Sequence, residues 1–213
     1  MIGDGLVSEE IMGGRRTEPR DYPHPVMEGI ASVFACDSGS AAIGEDGAYY
    51  RWGMGDMGRT TTPSRIFEDV TSVSANYWRA IKSDGTLWAR GFAPGDGSGR
   101  NDSNPIQVME NAKYVSAGRN HTMVILNDGT LWGWGSNHAG QLGNGETSDE
   151  TQLTPILIMD NVATVSAGFE FTLAVKTDGS LWGWGSNGNG QLGDGTTTDR
   201  HSPVHILDNV MLP

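Results

Sequence analysis

The chain has one cysteine, Cys36, and little positive charge, with 14 lysines and arginines against 26 aspartates and glutamates for a formal net charge of −12. A single cysteine excludes an internal disulfide and leaves the redox compartment open. The shortage of lysine and arginine argues against nucleic acid and anionic membrane as partners, because both are bound by neutralising phosphate charge. Basic or cationic partners are favoured instead. No stretch approaches the roughly 20 consecutive apolar residues of a membrane-spanning helix. The opening residues Met1-Ile2-Gly3-Asp4-Gly5 start neither a basic nor an apolar leader pattern. The sequence thus predicts neither signal peptide nor membrane segment, with a cytoplasmic location by default. Also missing is any segment with the length and 3.6-residue period of a helix. Hydrophobic residues still make up 37% of the chain, enough for a sizeable core.

What is abundant is glycine, 31 residues of it, at fixed places inside a repeat. The run Asp128 to Gly145, containing Asp-Gly-Thr-Leu-Trp-Gly-Trp-Gly, returns almost unchanged from Asp178 to Gly195, an offset of 50 residues. Such a period marks a propeller or a solenoid, and solenoid rungs are usually much shorter. Asp-Gly pairs fall at positions 46, 84, 128 and 178, so the earlier units are shorter. The first lacks most of the Gly-Gln-Leu-Gly segment, and the second lacks two residues between Asn76 and Tyr77. Between these markers the pattern alternates with period two. In the fourth unit Phe171, Leu173 and Val175 lie on one face, with Thr172, Ala174 and Lys176 on the other. Asp178-Gly179 predicts a two-residue hairpin turn, and Trp182 and Trp184 share a face opposite Gly183, a glycine face that would let a neighbouring sheet come close. Each unit supplies three to four short strands, too small a sheet to cover both its faces, so neighbouring units must stack. The expectation is an all-β protein, a β-propeller of repeated antiparallel blades. The divisions are the end of a partial repeat at 1–25, repeats at 26–63, 64–104, 105–154 and 155–202, and the start of a further one at 203–213.

The segments Ser166-Ala167-Gly168, Asp178 to Gly185 and Asn187 to Gly193, with Ser116-Ala117-Gly118-Arg119-Asn120-His121-Thr122, resemble the repeat of the regulator of chromosome condensation family. The resemblance is specific in the third and fourth units and looser in the first two. It implies four-stranded blades in a ring that is typically seven-bladed and closed by strands from both chain ends. This sequence departs from that pattern in holding four full units and partial ones at both ends. It therefore reads as an incomplete propeller: part of a longer protein, one completed by self-association, or one that leaves sheet edges open.

Several motifs have plain explanations. Gly183 to Gly188 satisfies the dinucleotide-binding glycine spacing but begins in a strand and opens no helix. Asn187, Asn189, Asp194 and Asp199 form an oxygen-rich cluster, yet their spacing fits no calcium loop and turns favour these residues anyway. The histidines His24, His121, His138, His201 and His205 show no ligand or catalytic spacing, and His121 reads as a hydrogen-bonded structural residue. Cys36 reads as a buried, inert thiol. The expectations are no catalytic residue, no metal and no cofactor.

Six of the seven tryptophans recur at repeat positions and read as packing. Trp78 does not, and Tyr77-Trp78-Arg79 has the composition of an interaction surface, with local repacking beside the shortened loop as the competing reading. The loop residues Arg119, Asn120, Phe169 and Glu170 differ between copies while the framework repeats. Together with the trio they are the candidate protein-binding residues. The function predicted is a non-enzymatic scaffold for a protein partner. The alternative, implied by the resemblance alone, is guanine-nucleotide exchange on a small GTPase.

Overall fold

The computed structural model describes residues 27–35, 39–55, 58–74 and 78–211. They form four sheets, each of four antiparallel strands paired in chain order. The first blade comprises β1 (Ile30–Ala35), β2 (Gly39–Gly44), β3 (Tyr49–Gly55) and β4 (Gly58–Phe67), and the second β5 (Val70–Ser74), β6 (Arg79–Lys82), β7 (Leu87–Phe92) and β8 (Asn101–Met109). The third comprises β9 (Ala112–Ala117), β10 (His121–Leu126), β11 (Leu131–Asn137) and β12 (Ser148–Met159), and the fourth β13 (Val162–Ala167), β14 (Phe171–Lys176), β15 (Leu181–Gly185) and β16 (Arg200–Leu207). The first strands of successive blades meet: the Ala117 N–H donates to Ser74 Oγ at 2.8 Å and the Ala167 N–H to Ser116 Oγ at 2.9 Å. First strands are therefore innermost and fourth strands outermost. The four blades form a partial propeller, as the repeat pattern predicts.

The hairpin between second and third strands shows why Asp-Gly-Thr-Leu-Trp recurs. Lys176 N–H donates to Ser180 O and Gly179 N–H to Lys176 O, at 2.9 and 3.0 Å. This is a three-residue loop, a type I turn followed by a left-handed glycine, and corrects the two-residue turn expected above. Only the glycine has a positive φ, 82° at Gly179. The aspartate acts through its side chain instead. Asp84, Asp128 and Asp178 each accept from the N–H and hydroxyl of Thr86, Thr130 and Ser180 at 2.6–2.9 Å. Those hydroxyls in turn accept the indole N–H of Trp88, Trp132 and Trp182, each at 2.9 Å. The hydroxyl and N–H donors hold all three exposed carboxyls below the usual carboxylate range. Thr130→Val, which keeps the shape but deletes the relay, is expected to cost about 1 kcal/mol in urea unfolding; an unchanged midpoint would remove the relay from the account of the turn.

The core lies between blades. Met123, Ile125, Leu131 and Leu142 of the third blade pack against Val162, Val165, Ala174 and Trp184 of the fourth. Between the second and third blades lie Ile81, Leu87, Ala112, Val115, Val124 and Trp134. Tyr49, Val73, Trp78 and Ala80 are among the residues filling the space between the first and second. Of the glycines on the strand face opposite the tryptophans, Gly185 does admit a neighbouring blade, since a Cβ there would stand 3.2 Å from Gln141 Cα of the third blade, whereas the glycine two residues earlier in each strand has another use. A Cβ at Gly133 would stand 2.7 Å from Met123 Sδ, so the glycine makes room for a side chain of the adjacent strand.

Each blade hands over to the next through one corner. Asp69, Asn111 and Asn161 have φ of 58–60°. The N–H of the following residue, Val70, Ala112 or Val162, donates to the hairpin glycine carbonyl of the preceding blade at 2.9 Å. Asn209, with φ 61°, and Val210, bonded to Gly179 O at 2.9 Å, repeat this corner after the fourth blade.

Candidate protein-binding surface

Because strands alternate in direction, the loops joining first to second strands and third to fourth strands share one end of the molecule. The Asp-Gly hairpins and the corners occupy the other. At the loop end the third and fourth copies differ in the loops between first and second strands, Arg119-Asn120 against Phe169-Glu170, while their third-to-fourth-strand loops stay nearly alike as far as Gly145 and Gly195.

Four of the sequence-predicted residues come together on that loop end. The Arg119 guanidinium lies 4.3 Å from the Phe169 ring centroid, and the Arg119 N–H donates to Phe169 O at 3.3 Å. Phe169 is 57% exposed, so the cation lies against a ring that is still open to solvent. Asn120 is exposed and its carbonyl accepts the Ser136 N–H at 2.7 Å; the Glu170 carbonyl accepts the Ser186 N–H at 2.8 Å. These bonds tie the two kinds of loop together within each blade. Glu170 Oε1 also sits 3.3 Å from His138 Nε2, while His138 Nδ1 lies 2.8 Å from Ser136 Oγ. His138 was not singled out as a site residue. The signal was present, since its counterpart in the next copy is Gly188.

The described members of the other predicted group, Trp78 and Arg79, are buried. Tyr77 lies outside the described residues, as does Cys36. Trp78 and Arg79 are 2% and 3% exposed and form no interaction surface. The correction has a physical cause. In the full units a threonine on the second strand pairs with a tryptophan on the third, Thr122 with Trp134 and Thr172 with Trp184. In the second blade Trp78 stands at the threonine position, and the Arg90 N–H bonds its carbonyl at 3.0 Å from the tryptophan position. The indole has crossed to the neighbouring strand. It packs edge-on against Tyr49 and Phe67, at 6.1 and 5.1 Å between centroids, with the Arg90 guanidinium 5.5 Å from its ring.

Arg79 compensates for a shortened loop. Five residues separate Gly135 from Gln141, whereas Phe92 alone separates Gly91 from Ala93 in the second blade. In the full units Asn137 and Asn187 organise this loop, each accepting the N–H of Leu142 or Leu192 at 3.0 Å. Without that asparagine, the Arg79 guanidinium donates to the carbonyls of Trp78, Arg90 and Ala93 at 2.8–3.3 Å. Its Nε reaches Thr122 Oγ1 of the third blade at 3.3 Å.

The oxygen-rich cluster of the fourth blade is taken up internally. Asp199 accepts the Asn187 N–H at 2.6 Å, and Asp194 accepts from Thr196, Asn187 and Arg200. The Thr196 hydroxyl first, then the Arg200 guanidinium, holds the Asp194 carboxyl down at about 2. Among the described residues no group of three or more His, Cys, Asp or Glu side chains is placed to hold a metal.

Buried His121 links the third and fourth blades. Its Nε2 lies 3.0 Å from Thr172 Oγ1, whose hydroxyl donates to Gln141 O at 2.9 Å. The hydroxyl proton being spent there, Thr172 accepts, and the imidazole carries its proton on Nε2. Nδ1 is buried without a hydrogen-bond partner. Burial alone lowers the His121 pKa to about 4, which makes it a neutral structural group and not a base poised near neutrality.

Consecutive four-stranded antiparallel blades define a repeat-built β-propeller. The third and fourth blades match the regulator of chromosome condensation (RCC1) repeat, over residues 112–141 and 162–191 by one description of the repeat and over 128–175 and 178–210 by another. The chain is similar to the ultraviolet-B receptor UVR8 of Arabidopsis thaliana, 32% identical over 143 residues, covering 57% of this chain and 32% of the receptor. Among solved structures it superposes on Prp20p of Saccharomyces cerevisiae with a TM-score of 0.73 and 19% identity, covering 84% of this chain and 51% of that one. It also superposes on human WBSCR16 with a TM-score of 0.71 and 20% identity, covering 85% and 54%. The chain thus spans about a third of the receptor and about half of each solved propeller.

Proposed function

We propose that this chain is a non-enzymatic scaffold that binds a protein partner through the loop end of its third and fourth blades. The observation that carries this reading is the Arg119–Phe169 stack. An aromatic ring and a guanidinium, the side-chain types enriched in interface hot spots, are held together in solvent where the repeat copies differ. Asn120, Glu170 and His138 supply a polar rim. The net charge of −12 favours a partner with a basic surface. Prp20p was described with its binding to Gsp1p and histones, and a protein partner for this chain is consistent with that relative. Likeness of fold does not carry a relative's activity across, and no described residue on the loop end favours nucleotide exchange over simple binding.

A photo-crosslinking residue in place of Phe169 is expected to capture a discrete partner, whereas the same residue in place of Asp178, at the hairpin end, captures none. Arg119→Ala combined with Phe169→Ala should weaken that complex at least tenfold, about 1.4 kcal/mol or more, without changing the thermal midpoint. Equal capture from both ends would overturn the reading. Accelerated nucleotide release from a captured GTPase would replace it with exchange activity.

A further inference from the structure

The connection from third to fourth strand is organised by Asn137 in the third blade and Asn187 in the fourth, and the two copies part after Gly145 and Gly195. Nine residues separate Gly145 from Pro155, and seven separate Gly195 from Pro203. In the fourth blade Arg200 pairs in register with Gly185. Its guanidinium closes the loop, donating from Nε to Asp194 Oδ2 at 2.6 Å and from an Nη to Thr196 Oγ1 at 3.3 Å. The Asp194 side chain is left only 6% exposed.

The third blade has the same loop without the arginine. Gln152 takes the register position, opposite Gly135, and its amide turns back to Thr154, donating to O and Oγ1 at 2.9 and 3.1 Å. Asn144, at the position of Asp194, keeps the bond from Asn137 Nδ2 at 2.9 Å but is exposed. A cavity of about 180 Å³ opens here, with Asn137, Asn144, Glu146, Ser148, Glu150 and Gln152 among its lining residues. The amide donors of Asn137 and Gln152 are spent within the chain. Glu146 and Glu150 are exposed and belong to none of the ion pairs of the described residues. No lysine or arginine occurs between Arg119 and Lys176. The loop is braced by a blade on each side, since the Gly145 N–H donates to His201 O of the fourth and Leu153 O accepts the Gly97 N–H of the second, at 2.9 and 3.0 Å.

We propose that this cavity is a guanidinium site, which takes an arginine side chain of a basic partner in the place that Arg200 fills for its own blade. Two independent observations select the ligand. The cavity is lined by two carboxylates with no cation of their own chain paired to them, and the fourth blade holds a guanidinium in the same asparagine-anchored loop. A guanidinium also suits the wall chemically, because its planar fork of donors pairs with carboxylate oxygens two at a time, which an ammonium does not. The site lies at the loop end: Asn137 lines the cavity, and the next residue, His138, meets Glu170. The inference gives a chemistry to the partner proposed above and rests on that reading for the partner, though not for the site itself.

The test is titration of the full chain with N-acetyl-arginine amide, followed by backbone amide shifts in nitrogen–proton NMR, with N-acetyl-lysine amide as a probe of equal charge. The arginine probe should move the amides of residues 144–152 saturably, with a dissociation constant on the order of 1 mM for a ligand of this size. The lysine probe should bind several-fold more weakly. Gln152→Arg supplies the fourth blade's own solution and should abolish the titration. Glu150→Gln, an isosteric change at an exposed position, should weaken it several-fold, and it keeps the test decisive if Gln152→Arg fails to fold. Glu110→Gln removes the same charge at the hairpin end and should change nothing. No saturable shift at 144–152 overturns the proposal, as do equal binding of both probes and indifference to Glu150→Gln. Those failures leave the Arg119–Phe169 surface untouched. A cavity that titrates while Phe169 captures no partner keeps the site and removes the surface.

Discussion

Trp184→Ala is expected to lower stability by about 3–5 kcal/mol, the range for truncating a fully buried large aromatic side chain. The indole has no exposed surface and packs with Met123, Leu142 and Ile125 across the boundary between the third and fourth blades. Its N–H donates to Gln141 O, so truncation leaves a cavity and removes one of the two donors to that buried carbonyl. Trp182→Ala is the control. Trp182 is half-buried on the same strand face and bonded only within its own hairpin, so its loss should be clearly smaller. Urea unfolding followed by far-ultraviolet circular dichroism gives both values, and equal losses would deny Trp184 its special role in joining blades. A glycine pair sharpens the test. Gly143→Ala and Gly193→Ala meet the same backbone strain, with φ of 76° and 75°, about 1–2 kcal/mol for a left-handed alanine. Only Gly143 has an indole 2.7 Å from the added carbon, so the excess loss at Gly143 measures the seating of Trp184.

The framework was legible because it is written more than once. Aspartate, hydroxyl residue and tryptophan at fixed spacing recur at Asp84, Asp128 and Asp178, and each set closes the same local relay. Alternation of Phe171, Leu173 and Val175 against Thr172, Ala174 and Lys176 needed no tertiary information to read as a strand. The misread positions are those where one unit solves the common problem differently. Trp78 looked like an exposed aromatic because it broke the repeat. Laid in strand register opposite Arg90, it is the displaced partner of a Thr–Trp pair, and Arg79 supplies the donors that a missing asparagine would have given. That pairing links positions on separate strands and becomes visible only when cross-strand register is known. His138 differs from its counterpart Gly188 in the next copy, but its partner Glu170 belongs to the next blade, and no local spacing connects the two. The site and the corrections thus both depend on contacts between strands or blades, whereas the fold signal lies within a single hairpin.

Acid should weaken the junction of the third and fourth blades well above the pH at which carboxylates protonate. His121 is buried with its proton on Nε2 and its Nδ1 unpartnered, and burial lowers its pKa to about 4 from 6.5. The unfolded chain therefore takes up this proton as the pH falls through about 6.5, whereas the folded chain does not until about 4. Across that window the unfolded state binds more protons, so stability rises with pH and is lost as pH falls. The loss accumulates to the order of 3 kcal/mol for a displacement of this size. Asp84, Asp96, Asp128, Asp178 and Asp194 act in the same direction, but their depressed carboxyls lose their contribution only below the ordinary carboxylate value of 3.8. The two windows are separable. His121→Phe places at this position the side chain that the fourth blade already uses, Phe171, and leaves Thr172 its bond to Gln141 O. Its stability should be nearly flat between pH 6.5 and 4, while the wild type declines. An equal slope in both proteins, or an imidazole that titrates near 6.5 in the folded wild type by proton NMR, would show that burial does not hold His121 neutral.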